Sequence, residues 1–182
     1  MISRANGKLG FLKRNLKGCP SALKRSAYVG LVRSGLEYGA VIWDPHHDNQ
    51  KKAIELVQNK AMRWIKDLPP YDRSHIEDLL RDTGLRSLEQ RRRDARLTML
   101  YKMVHGLVAL TPEELGLVQT NRRPRAGEAH HTRFKHRPAR VDLRLYSFVN
   151  RTVPAWNRLP ADTAEAESLE TFKARLAPAR LP

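Results

Sequence analysis

The sequence predicts an all-α protein, and three observations carry that expectation. An apolar stripe at helical spacing runs through residues 51–66. Two capping-box patterns stand at residues 74–77 and 87–90. Proline or glycine closes almost every periodic stretch.

Taken in order, the first helix is expected to open at Ser3 and close at Gly18. Leu9, Leu12 and Leu16 share one face, and Lys13, Arg14 and Lys17 lie on its flank; Gly7 and Gly10 work against it. Pro20 suits the first position of a second helix, where its missing N–H is not needed. Between Leu23 and Trp43 the chain carries a mixture of apolar and small residues. Gly30, Gly35 and Gly39 would each cost roughly 1 kcal/mol against Ala in an isolated helix. Either the helix breaks near Ser34 and Gly35, or the glycines allow close packing; Asp44 and Pro45 end the segment. The third helix, residues 51–66, has the clearest pattern. Ile54, Val57, Ala61, Trp64 and Ile65 form its apolar stripe, and Lys52, Lys60, Arg63 and Lys66 project from the other side. Pro69 and Pro70 stop it. Ser74 with Glu77 is expected to cap a short fourth helix to Asp82, with Gly84 just past its end. Ser87 with Gln90 opens what reads as the longest helix, to about His105. Its main stripe is Leu97, Leu100, Tyr101, Val104 and Leu107; Ala95, Met99 and Met103 form a weaker one. Arg91, Arg92, Arg93 and Arg96 crowd its first turns, where positive charge is mildly unfavourable. Asp78, Asp82, Glu89 and Asp94 are the expected compensating charges.

From Gln119 to Arg140 the periodicity fails. Arg, His and Pro dominate, Phe134 is the one large apolar residue, and a flexible basic linker is expected. Apolar residues resume at Val141. Tyr146, Phe148, Val149, Val153 and Trp156 suggest a short docking element ending at Pro160, and Ser168 caps a last helix with Leu169, Phe172 and Leu176 on one face. The expected organisation is a helical domain over 1–118, a linker over 119–140 and a small C-terminal element over 141–182.

Charge sharpens this division. Residues 1–66 carry 13 basic and 4 acidic side chains, a net of +9, and residues 119–151 carry 9 and 2, a net of +7. The block between them is balanced. Segregated positive charge fits a polyanionic partner, because Lys and Arg release condensed counterions from phosphates; a solubilising surface is the competing explanation. The most apolar stretch, residues 28–43, is interrupted by Arg33 and Glu37, so no membrane helix is expected. No apolar signal core follows the N-terminal basic residues, and Cys19 is the sole cysteine. An intracellular, nuclear or cytoplasmic protein that is not secreted is therefore expected.

Catalytic chemistry finds little footing. Metal-dependent phosphoryl chemistry needs clustered carboxylates, and no Asp-Asp pair occurs. Asp44, His46, His47 and Asp48 could form a metal or hydrolase site, but a polar turn explains them better. His130, His131 and His136 read as solvated. Cys19 lacks an identifiable base, and no phosphate-cradling loop appears. No catalytic residue, metal, cofactor or small-molecule substrate is expected. Tyr71, Tyr146 and Trp156 are the aromatic residues placed to stack on bases.

Several stretches form an ordered set: residues 8–17 (KLGFLKRNLK) followed by Cys19 and Pro20, 31–38 (LVRSGLEY), 41–45 (VIWDP), 54–64, 87–101, and 151–160 (RTVPAWNRLP). Together they resemble the region after the catalytic domain in non-LTR (LINE-type) retrotransposon polyproteins. The resemblance implies a helical polymerase thumb over the N-terminal part, which grips a template–primer duplex by its backbone, and a post-thumb region. It places the catalytic aspartates in an upstream fingers–palm region, and it suggests a truncated copy or partial gene. The expected binding residues are Lys13, Arg14, Lys17, Lys52, Lys60, Arg63 and Lys66, with Arg122, Arg123 and Arg125 as a second patch; the expected partners are RNA or DNA and a reverse transcriptase palm. A structural or interaction fragment, or a non-functional relic, is the alternative.

Overall fold

The computed structural model describes residues 1–120, 130–135 and 140–177. The protein is all-α: no strand occurs among the described residues, and one isolated bridge pairs Gln119 with Phe134. The chain divides into two compact units, residues 1–92 and 93–182.

In the first unit, α1 (Ile2–Asn15) buries Ala5, Leu9 and Leu12. It starts one residue before the expected cap, with Met1 rather than Ser3 at the N-cap and no side chain bonding there. The next helix begins directly after Pro20. It runs as α2 (Ser21–Ala27), a π-helical stretch (Tyr28–Arg33) and α3 (Ser34–Glu37), with helical dihedrals at both junctions. Neither expectation for its glycines holds. The chain stays helical through Ser34 and Gly35, and a Cβ added at Gly30 or Gly35 would meet nothing within 4 Å, so these glycines serve no close packing. The break comes at Gly39 (φ +63°), which leads into α4 (Ala40–Trp43). Such a left-handed position is strained for residues with a Cβ.

The stripe on α5 (Asp48–Ile65) forms the heart of the first core. Ile54, Val57, Ala61, Met62 and Ile65 are buried with Tyr28, Val32 and Leu36, while Trp64 sits at the edge. At 18 residues α5 is the longest helix described, one residue more than α7 (Leu88–Val104). Gln58, also buried, accepts from the Tyr28 hydroxyl at 3.1 Å and donates to the Arg86 carbonyl at 3.0 Å. The capping box at Ser74 does not form. The Ser74 N–H is held by Asp72 Oδ1 at 2.8 Å in a tight turn, and His75 takes the N-cap of α6 (Ile76–Thr83). Gly84 (φ +61°) closes α6 as expected. Ser87 does cap α7, accepting from the Gln90 N–H at 3.2 Å. A more distant group completes the cap: the Glu55 carboxylate accepts from the Leu88 and Glu89 N–H groups at 3.2 and 2.7 Å.

The second core contains Leu97, Leu100, Tyr101 and Met103 of α7, with Leu117, Phe134, Val153, Trp156, Leu159, Phe172 and Leu176. Residues 93–118, expected within the N-terminal domain, thus pack with the C-terminal residues. Leu107, expected in the stripe, lies past the helix end and is exposed. The remaining elements are α8 (Asp142–Leu145), α9 (Phe148–Trp156), α10 (Ala161–Ala164) and α11 (Leu169–Leu176). Ser168 caps α11 as expected, accepting from the Thr171 N–H at 3.1 Å.

The expectation of a flexible linker fails over residues 130–135. Phe134 is buried in the second core, and its N–H and C=O are both bonded to the Asn157 side chain, at 3.0 and 2.8 Å. His130 is buried rather than solvated. Trp156 is fully buried, which removes it as a base-stacking platform; its Nε1–H donates to the Thr132 carbonyl at 2.7 Å.

Candidate nucleic-acid interface

The packing of α1 on α5 places one basic residue from each beside the other. Lys13 lies in the last turn of α1, and Lys60 lies five residues before the end of α5. Both line a cleft of about 520 Å³, and Arg63 completes its cationic lining. The other lining is Trp64, Leu68 and Pro70, with Asp67 beside them. Positions 60, 63, 64 and 67 follow helical spacing, so one face of α5 and the turn beyond it supplies most of the site.

Electrostatics at the cleft favour an anion. Burial, then the nearby Lys60 ammonium, hold the Lys13 ammonium below its ordinary pKa. Among the described residues no carboxylate pairs with either lysine. Arg63 is braced: it donates to the Asp72 carbonyl at 3.1 Å and the Asn59 carbonyl at 3.4 Å. Asp67, the one acid on the lining, is engaged by the buried Lys24 ammonium, which also lies 6.0 Å from the centre of the Trp64 ring. That pair is internally neutral, so three cations set the field in the cleft.

The remaining expected residues scatter. Arg14 and Lys17 are exposed beyond the cleft, and Lys52 is exposed two turns before Lys60. Lys66 lies 3.9 Å from Asp82. Arg122, Arg123 and Arg125 fall outside the described residues, as does His136. The sequence reading missed Asp67, Leu68 and Pro70 as site residues and assigned Trp64 to the core stripe. The signal was present: Trp64 and Asp67 lie four and seven residues after Lys60.

Comparison with protein-family models, with curated proteins and with solved structures finds no match for the chain.

Two of the early arginines of α7 pair with acids outside the expected set, while the expected Glu89 also favours the charged form of Arg92. Arg91 forms a two-pronged pair with Glu37, its Nη2 donating to Oε2 at 2.9 Å, and Arg92 Nε donates to Asp44 Oδ1 at 2.7 Å. Glu89 faces Lys51 at 3.4 Å, Asp82 faces Lys66, and Asp78 pairs with Arg81. Arg96 lies in the second unit, where burial, and secondarily Arg151, lower its pKa to about 10.

Among the described residues no three His, Cys, Asp or Glu side chains cluster in a way that could hold a metal ion, and no helix is long and apolar enough to cross a membrane. The His46 and His47 rings lie 3.8 Å apart, centre to centre. His130 has a packing role. Its Nε2–H donates to the Trp156 carbonyl at 2.9 Å, and Nδ1 accepts from the Thr132 hydroxyl at 3.1 Å; this tautomer satisfies both neighbours. Burial is the main influence and pushes the imidazole below its ordinary pKa, against the Trp156 hydrogen bond and Glu165. The folded state therefore takes up its proton later than the unfolded chain, whose histidines titrate near about 6.5. The His130 contribution is full above that value and is lost as pH falls through the depressed folded value. Thermal melts of the second unit should show a lower midpoint at about pH 5 than at about pH 7.5, and His130→Gln should flatten that difference. A His130→Gln protein with an unchanged pH dependence would rule out this assignment.

Proposed function

We propose that this chain is a nucleic-acid-holding module, the thumb and post-thumb region of a LINE-type reverse transcriptase, which grips RNA or a template–primer duplex by its sugar–phosphate backbone. The observation that carries the reading is the convergence of Lys13, Lys60 and Arg63 on one cleft, with no carboxylate paired to either lysine among the described residues. The two basic blocks of the sequence and the ordered set of motifs support it. In this reading the chain carries no catalytic residue, and the carboxylates that hold metals belong to the palm of the parent polyprotein. Phosphate contact is sequence-independent, because the backbone carries no base code.

Binding of RNA and duplex oligonucleotides is expected to weaken steeply with salt, with a log–log slope of about −0.7 to −0.9 per phosphate contacted. Lys13→Gln with Lys60→Gln should weaken binding roughly tenfold at low salt and make the slope shallower by about one to two phosphate equivalents. Absence of binding at low salt, or binding that salt leaves unchanged, would sink the reading.

A second reading has its own observation. Tyr38 and Ile42 are 86% and 92% exposed on either side of the turn at Gly39. Two large apolar side chains held out in water suit a surface that packs on a palm domain or another protein. Tyr38→Ser with Ile42→Ser would then abolish association with a palm-containing chain while leaving oligonucleotide binding intact.

A further inference from the structure

We propose that the cleft between α1 and α5 takes a single unpaired nucleotide, with its phosphate on Lys13 and Lys60 and its base against Trp64, Leu68 and Pro70. The inference rests on the nucleic-acid reading above and narrows it, at this site, to single-stranded RNA or DNA.

Shape is the first argument. The cleft is half-open to solvent and has a volume of about 520 Å³, a concave site of the size that takes a small ligand rather than a flat track for a polymer. Duplex nucleic acid presents phosphates and sugars outward and keeps its bases stacked inside, so it has nothing to place against an apolar wall. A single strand splays its bases, and aromatic side chains beside a basic groove take them up without sequence preference.

The division of labour inside the cleft is the second argument. The lining combines three cations, Lys13, Lys60 and Arg63, with the apolar Trp64, Leu68 and Pro70, the two kinds of group that the two halves of a nucleotide require. Trp64 is only partly buried, and the Lys24 ammonium lies over its ring, 6.0 Å from the centre. Lys24 also engages Asp67, which keeps the lone carboxylate of the lining from opposing a phosphate with its full charge. A phosphate between Lys13 and Lys60 would relieve their mutual repulsion, which already acts on Lys13.

The test uses the full chain and three fluorescently labelled probes at low salt: oligothymidylate, a hairpin duplex of matched phosphate number, and an abasic strand that keeps phosphates and sugars without bases. Oligothymidylate is expected to bind roughly tenfold tighter than either of the other two, the gain expected from one stacked base. Trp64→Leu should remove that preference, while Trp64→Tyr should retain it. The abasic arm needs no change to the protein, so the proposal stays testable if Trp64→Leu fails to fold. Equal binding of all three probes by the unaltered chain would overturn the single-nucleotide site and leave the backbone-binding function standing. Failure of every probe to bind would overturn both.

Discussion

Trp156→Ala is expected to destabilise the second unit by about 3–5 kcal/mol, the cost typical of deleting a buried aromatic ring. Trp156 has no solvent exposure and lies at the centre of the second core, with the Phe172 ring 6.0 Å away and the His130 ring edge-on at 5.8 Å. Its polar edge is also used. The indole N–H donates to the Thr132 carbonyl, and the Trp156 carbonyl accepts from His130, so this residue ties residues 130–132 to α9 from both its side chain and its backbone. Loss of the ring would open a cavity and leave the Thr132 carbonyl without its donor. Since whole domains are stable by only about 5–15 kcal/mol, the variant should lose most of its cooperative unfolding. Trp156→Phe separates the contributions, keeping much of the apolar volume and losing the hydrogen bond, for about 1–3 kcal/mol. Urea unfolding followed by hydrogen exchange at the amides of α9 and α11 would measure both. A Trp156→Ala midpoint equivalent to less than about 1 kcal/mol would show that the ring is not the keystone described.

What the sequence made legible divides by the range of the interactions involved. The stripe on α5, the stop at Gly84 and the cap at Ser168 are local, and each appears where spacing and residue type put it. The failures have physical causes. Ser74 had the right pattern for a cap, but the Asp72 carboxylate two residues earlier captured its N–H, and a competing turn won. Residues 130–135 looked too polar to order. Their anchorage is one phenylalanine and a set of side-chain-to-backbone hydrogen bonds with Asn157 and Trp156, which no count of apolar residues registers. Glycines 30 and 35 suggested a break or a close approach, yet they face open space in a helix whose buried side chains, Tyr28, Val32 and Leu36, hold it together. For the cleft, the sequence supplied the individual cations. It could not supply the approach of Lys13 to Lys60, because that depends on how α1 packs on α5. Nor could it pick out Lys24, between Leu23 and Arg25, which proves to be buried, engages Asp67 and lies 6.0 Å from the Trp64 ring centre.

The same non-local logic governs Asp44, whose replacement by Ala should destabilise the first unit by about 3–5 kcal/mol. The side chains of Asp44 and Arg92 are 5% and 1% exposed and 48 residues apart in sequence, and Arg92 Nε donates to Asp44 Oδ1. Burial already disfavours the guanidinium, and the carboxylates of Glu55, Glu89 and Glu37 act against that effect. Those three carboxylates would still favour the stranded cation after Asp44→Ala, so the lower part of the range is expected. The pair is nevertheless a poor source of net stability. Arg92 Nη1 and Nη2 are buried with no hydrogen-bond partner, so this side chain lost water that the fold only partly replaces. Replacing both members, Arg92→Met with Asp44→Ala, should therefore recover much of the stability lost in Asp44→Ala alone. Denaturant unfolding of the two single variants and the double variant gives the coupling directly. Additive costs, or an Asp44→Ala cost below about 1 kcal/mol, would mean that the charge is solvated and that the pair does not hold the start of α7 against the turn after α4. The expected non-additivity would instead mark Arg92 as a residue whose role is to demand Asp44, fixing which segment α7 can begin on rather than strengthening the fold.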